Sequence, residues 1–273
     1  MIVTGIFIYP VKALRAFACD SAVVTPRGLE GDRGWLVINQ EGKFITQRQI
    51  PALARISAAV LPGRLQLCDA QGHTITIAYP HANAARRVVT IWRDQIEASA
   101  ADTNADDFIS AATGVACHLV YLPAGSLRPV DPRFGQPDDH VNFADAYPLL
   151  LCNESSLQDL NNRLKNPVPM SRFRPNLVIN GAAPWAEDDW RIVKIGDLIL
   201  EVVKPCDRCQ VTTIDQQSGV QPDGSEPLRT LATFRRDAQN HVIFGQNAIG
   251  RKLGLIRLGD QVQVLEHKKG PLF

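Results

Sequence analysis

Short apolar or alternating runs, broken by turn residues, dominate the chain. GIFIYP predicts an N-terminal strand, and GWLVIN, a QEGK turn and FITQRQ predict a hairpin. ISAAVL, RLQLC, HTITIAY, RVVTIW and QIEASA follow as β-branched or alternating runs separated by Gly, Pro, Asp and Asn. Strands this short and this regularly spaced predict a barrel rather than a parallel α/β sheet. Two segments carry helical signals instead. ADTNADDFISAATG opens on Asp and Thr and stops at Gly114, and CHLVYLP returns to strand. NESSLQDLNNRLK has Asn153 or Ser155 as its cap and Leu157, Leu160 and Leu164 along one face. NLVING, RIVKIG, LILEVVKP, QVTTID, RTLATF and QVQVLE then read as mostly strands. Between the halves, residues 123–142 hold four prolines and little periodicity, which places a domain boundary at their start. The expected fold is mainly β with a few helices, in two barrel-like units.

Composition narrows the partners. At 273 residues the chain buries a sizeable core without staples. A formal net charge of +1 gives no global pull toward nucleic acid or a membrane surface. The 7% aromatic content lies mostly inside apolar runs, so base stacking on a surface platform is the weakest reading. Charge is nevertheless uneven: from Lys12 to Arg64 there are eight basic residues against four acidic ones. That excess suits either a solvated face or an anion held in a pocket. The opening IVTGIFIYPVK lacks a basic leader and a small-residue cleavage site, and is too short to span a bilayer. We therefore expect a cytoplasmic, reduced protein, which disfavours a structural disulfide.

The candidate chemistry centres on KPCDRCQVTTID. Cys206 and Cys209 sit three positions apart, whereas Cys19, Cys68, Cys117 and Cys152 are scattered singly and read as buried small hydrophobes. A structural zinc site needs four ligands, and one C-x-x-C with no companion pair supplies two. A dithiol redox pair belongs at a strand-to-helix turn, while the β-branched run after Cys209 predicts strand. Two inert buried thiols fit poorly beside Lys204, Asp207 and Arg208; cations next to a thiol favour the thiolate, the form that ligates metal. Basic residues recur at strand ends: Lys12 in YPVK, Arg33 in GLEGDRGW, Arg48 in TQRQ, and Arg172 and Arg174 in SRFRPN. Arg172 and Arg174 alternate with Phe173, so both are expected on one side of the chain. A soft ligand among guanidinium groups suits a cofactor that carries both metal and phosphate.

In this order, IYPVK, GDRGWLVINQEGKFITQRQ, FADAYPLLLCNESSLQDLN, FRPNLVI, WAEDDW, KIGD, CDRCQVTTID, EPLRTL and FGQNAIG make the chain resemble the MOSC proteins. It is most similar to the group with a MOSC N-terminal β-barrel ahead of the MOSC domain, which includes the mitochondrial amidoxime-reducing component and its bacterial relatives. The resemblance implies domains at 1–122 and 123–267 and a molybdenum cofactor, molybdopterin with its terminal phosphate. It implies Cys209 as the metal ligand and catalytic residue, with Cys206 a neighbour only. Lys12, Arg33, Asp145, Arg174, Asn176, Asp207, Arg208 and Asn247 stand at cofactor-contacting positions. Ala13 and Ala146 stand where relatives often have Ser and Thr, so no side-chain bond is expected there. The implied reaction removes oxygen from N-hydroxylated small molecules: amidoximes, hydroxylamines and N-hydroxylated bases. The sequence has neither a dinucleotide fingerprint after a strand nor an iron–sulfur ligation run, so electrons are expected from a separate donor protein, a ferredoxin-type carrier or flavin reductase, or else from a ferredoxin-like domain beyond this sequence, as in some bacterial relatives. The rival implication is a role in binding or sulfurating the cofactor, because MOSC also names the C-terminal domain of molybdenum cofactor sulfurase.

Overall fold

A computed structural model describes residues 1–268. The protein is mainly β, and three α-helices occur among the described residues. The larger sheet has eight strands. In order of pairing they are Val262–His267, Trp190–Ile195, Leu198–Asp207, Ile243–Lys252, Leu149–Asn153, Leu177–Asn180, Ile2–Ile8 and Phe17–Ala18. Leu149–Asn153 and Leu177–Asn180 pair in parallel and the other neighbours antiparallel. The sheet curls until its first and seventh strands meet. Ile2 bridges Gln261, Val262 N–H donates to the Met1 carbonyl at 2.9 Å, and Val3 N–H donates to Asp260 O at 3.0 Å. Closure satisfies edge groups that would otherwise face water unpaired. It also places the first strand of the chain in the same sheet as the last. Val3, Ile6, Leu151, Leu177, Val193, Leu200 and Ala248 fill the interior of this barrel.

The other unit combines a four-stranded sheet and a three-stranded sheet. The first pairs Trp35–Ile38, His118–Tyr121, Asp94–Ala100 and Arg86–Ile91; the second pairs Ser57–Leu61, Arg64–Cys68 and Thr74–Ala78. The helix Thr103–Thr113 buries Ala105 and Ile109 against Leu53, Leu119 and their neighbours, and ends where Gly114 turns left-handed at φ 73°. The helix Glu154–Asn161 is capped by Asn153, whose side chain accepts from Ser155 N–H at 3.1 Å. Leu164 lies past its end, yet still packs with Leu157 and Leu160.

Several segments differ from the sequence reading, each for a local reason. FITQRQ is not a paired strand. After a single bridge from Phe44 to Ile38, the chain turns at Thr46, whose N–H bonds Gln49 Oε1 at 2.9 Å. QVTTID forms a short 3-10 turn over Gln210–Thr213 because both threonine hydroxyls bond back into it, Thr212 to Cys209 O and Thr213 to Gln210 O. RTLATF continues the short helix Leu228–Leu231, which begins just after Pro227, where a fixed φ favours a helical turn. The ten-residue strand Ile243–Lys252 spans FGQNAIG, whose small and polar residues hid it. Of the single cysteines, Cys117 and Cys152 are buried, while Cys19 and Cys68 are only half-buried. No helix among the described residues is long and apolar enough to cross a membrane.

Candidate functional site

The two units meet around an open cavity of about 460 Å³. One wall comes from residues 12–13, 33, 46–48 and 92, the other from 144–150, 173–176, 204–212 and 247. All nine residues singled out from the sequence lie on it: Lys12, Arg33, Asp145, Arg174, Asn176, Asp207, Arg208, Cys209 and Asn247.

The long connection between the units delivers Asp145. Buried Arg128 holds that backbone by donating to the carbonyls of Asn142 (3.1 Å), Ala144 and Asp145 (2.9 Å), while its Nε bonds Asp94 at 2.7 Å. Asp145 then meets Lys12 Nζ at 2.5 Å and the Trp92 indole N–H at 3.2 Å. The Asp145 side chain is 72% exposed at the cavity mouth, so solvent screens its pairing; desolvation opposes its ionisation, but Lys12, Trp92 and Arg33 outweigh this and hold its carboxyl below the usual range. Burial pulls the Lys12 ammonium down, with Asp145 countering.

Arg33 and Arg174 both take left-handed backbone, at φ 46° and 54°. This conformation is uncommon outside glycine and asparagine. It turns both guanidinium groups over the ring of buried Tyr9, at 4.1 and 4.3 Å. Burial pushes the Tyr9 phenol up to about 12, despite the two arginines. Arg33 is paired with Asp32 at 2.7 Å and reaches Asn176 Oδ1 at 3.0 Å. Among the described residues the hydrogen-bond partner of the Arg174 guanidinium is neutral, Gln216 Oε1 at 2.8 Å. Burial, partly offset by Tyr9 and reinforced by Arg33, pulls Arg174 down to about 10, so it stays cationic at neutral pH. The expected alternation of Arg172 with Arg174 does not occur. Met170–Phe173 is a 3-10 turn and Arg174 reverses the chain, so Arg172 points instead to Thr212 O at 3.2 Å and toward Asp215 at 3.8 Å.

The cysteine pair divides its surroundings. Arg208 donates to Cys206 Sγ at 2.8 Å and to the Phe173 carbonyl at 2.5 Å, and its buried Nε has no hydrogen-bond partner among the described residues. The charge expected to assist Cys209 therefore touches Cys206, because the extended strand through Asp207 puts Arg208 and Cys206 on one side. Burial pushes the Cys206 thiol up, with Arg208 countering. Cys209 is the exposed one, on the cavity wall where the chain leaves the strand Leu198–Asp207 and enters the 3-10 turn. Lys204 pairs with Asp207 at 3.2 Å, and Asn247 donates to Pro205 O at 3.3 Å, tying the neighbouring strand to this corner. Asn176 differs from the rest. Its side chain is occupied inside the protein, donating to Phe7 O and accepting from Leu150 N–H and Arg33.

The two walls together carry six cations, Lys12, Arg33, Arg48, Arg174, Lys204 and Arg208, against two carboxylates, Asp145 and Asp207. Among the described residues Arg48, Arg174 and Arg208 make no ion pair; Arg48 lies over Trp92 at 5.1 Å. A cavity with this balance attracts an anion, and an exposed thiol on its wall offers a soft ligand. Sequence reasoning missed Tyr9, Gln47, Trp92 and Gln216. Tyr9 lies inside IYPVK, Gln47 inside TQRQ and Trp92 at the end of RVVTIW, whereas Gln216 follows the last residue of CDRCQVTTID and carried no signal.

Comparison with known proteins agrees with this architecture. The profile of the MOSC N-terminal beta barrel domain matches residues 1–115, and that of the MOSC domain matches residues 138–263. Mitochondrial amidoxime-reducing component 1 of Mus musculus is 35% identical over 280 residues, covering 96% of this chain and 82% of its own. Its Homo sapiens counterpart is 33% identical over 288 residues, with shares of 96% and 82%. Molybdenum cofactor sulfurase of Oryza sativa is 31% identical over 268 residues, 88% of this chain but 31% of that much longer protein. With both domains matched in order and relatives aligned along nearly its whole length, the chain belongs to the MOSC family, a MOSC N-terminal beta barrel domain followed by a MOSC domain.

Proposed function

We propose that the chain binds a molybdenum cofactor in this cavity and reduces N-hydroxylated small molecules there, drawing electrons from a separate donor protein. The observation that carries this reading is the convergence on one cavity of the exposed Cys209 thiol with Arg48, Arg174 and Arg208, three guanidinium groups that make no ion pair among the described residues. The residues present fit the group. Guanidinium forks suit its phosphate, a thiolate suits its metal, and the orphaned Arg208 Nε leaves a buried donor for an acceptor. The volume falls within the roughly 300–1,000 Å³ usual for ligand sites.

In this reading Cys209 holds the metal and Arg174, Arg33 and Lys12 face the anionic end. Asp145, Asp207 and Asn247 offer hydrogen bonds to the pterin. Arg208 fixes Cys206 and Phe173 beside the ligand. Asn176 acts through Arg33 and needs no contact of its own. The group, when bound, would supply two-electron reduction of an N–O bond, giving the amine or amidine, and the oxygen would leave as water on delivery of two electrons from the donor protein and two protons. The protein contributes orientation and a fixed positive field, which requires no rearrangement during the reaction.

The test is steady reduction of benzamidoxime by reduced methyl viologen with purified, molybdenum-containing protein; absence of turnover contradicts the reading. The similarity to molybdenum cofactor sulfurase supports a second one, in which the chain holds the cofactor for sulfuration. Protein that contains molybdenum but reduces neither benzamidoxime nor hydroxylamine favours that alternative.

A further inference from the structure

Two buried glutamines join the units behind the cavity. Gln47, in the first unit, and Gln216, in the second, are fully or nearly fully buried. They exchange amide hydrogen bonds, Gln47 Nε2 to Gln216 Oε1 at 3.0 Å and Gln216 Nε2 to Gln47 Oε1 at 2.9 Å. Gln47 Nε2 also donates to the Ala13 carbonyl at 2.6 Å, and Gln216 Nε2 to the Ile214 carbonyl at 3.1 Å. The remaining capacity of Gln216 Oε1 goes to Arg174 Nη1 at 2.8 Å. The Gln216 backbone is itself fixed, its carbonyl accepting from Arg15 Nε at 3.2 Å.

A buried arginine is ordinarily matched by a carboxylate, as Arg235 is by Asp188 in this protein. At Arg174, half-buried on the cavity wall, an amide takes that place. An amide oxygen accepts the same hydrogen bond and fixes the same rotamer, but it leaves the charge uncompensated. We propose that Gln216, locked by Gln47, is a positioning residue that orients Arg174 while keeping its full charge available to an anion in the cavity. This deepens the cofactor reading, since the anion in question is the phosphate-bearing end of the ligand.

The test compares Gln216→Glu with Gln216→Met in the full chain from a cofactor-deficient host, with inorganic sulfate as probe. Sulfate keeps its charge across the working pH range. The readouts are calorimetric affinity and the sulfate-dependent rise in melting temperature, neither of which involves molybdenum. We expect Gln216→Glu to weaken sulfate binding by about tenfold or more, because the new carboxylate neutralises Arg174. Gln216→Met, which removes the hydrogen bonds but adds no charge, should weaken it less. The affinity of Gln216→Glu should recover as falling pH protonates the new carboxyl, whose charged neighbours are Arg174 and Arg15. In a cofactor-competent host, molybdenum content should follow the same order. A loss in Gln216→Met equal to or greater than that in Gln216→Glu overturns the proposal and leaves a structural role. So does sulfate binding that is unchanged in Gln216→Glu or absent from wild type. Failure of the reductase reading alone would leave the sulfate result intact.

Discussion

At the scale of single residues, charge partnership separates the roles. Arg174 and Arg33 share the Tyr9 ring, but among the described residues Arg33 has a carboxylate partner and Arg174 an amide. Both face the cavity, whereas Arg64 lies exposed at a hairpin tip of the first unit. We expect Arg174→Ala and Arg33→Ala to retain less cofactor through gel filtration than Arg64→Ala, since a charge-assisted hydrogen bond contributes about 1.5–3 kcal/mol. Equal retention in all three variants would remove the arginines from the cradle. Asp145 gives a pH signature. Its carboxyl is held below the ordinary range, so its contribution to stability is present at neutral pH and lost only as pH falls through the lowered folded value. Wild type should exceed Asp145→Asn in urea midpoint at pH 7, and the gap should close progressively below about pH 4; a gap that widens in acid contradicts the assignment. Lys12, Arg33 and Cys209 were legible in the sequence because their motifs are local. Gln216 was not, because its importance lies in a partner 169 positions away.

At the scale of elements, the strand Ile243–Lys252 shows why part of the fold was hidden. Gly245 has φ 75°, and a Cβ there would meet Cys152 Sγ at 2.7 Å and the Leu151 carbonyl at 2.9 Å. The next residue, Gln246, is buried and donates to Asp188 at 2.8 Å. Neither glycine nor a buried glutamine carries a strand signal, so pairing with Leu198–Asp207 on one side and Leu149–Asn153 on the other decided the matter. Gly245→Ala should therefore destabilise by roughly 1–3 kcal/mol, read as a lower denaturant midpoint. It should also loosen the Asn247 corner; an unchanged midpoint would show that the backbone can relax there. The converse case is QVTTID, where β-branched residues signalled strand but their hydroxyls closed a turn. The apolar alternation of the barrel strands and the two longer helices, by contrast, were legible, because burial on one face imposes its period on the sequence.

At the scale of the molecule, the cavity belongs to neither unit alone. The first strand of the chain closes the second barrel, Gln47 and Trp92 of the first unit bond Gln216 and Asp145 of the second, and Arg128 ties Asp94 of the first unit to the backbone of Asp145. That juxtaposition is a tertiary property no single motif encodes, although the motifs named most of its residues. On the proposed function, purified protein should reduce benzamidoxime with reduced methyl viologen but not with NADPH alone. NADPH-driven turnover should appear when a reductase or ferredoxin-type carrier is added, and robust turnover without one would contradict the external donor. The account stands most directly on the metal. Elemental analysis of protein from a cofactor-competent host should find stoichiometric molybdenum in wild type, most of it retained in Cys206→Ser, and little in Cys209→Ser. Equal molybdenum in wild type and Cys209→Ser, or none in any of the three, would contradict it.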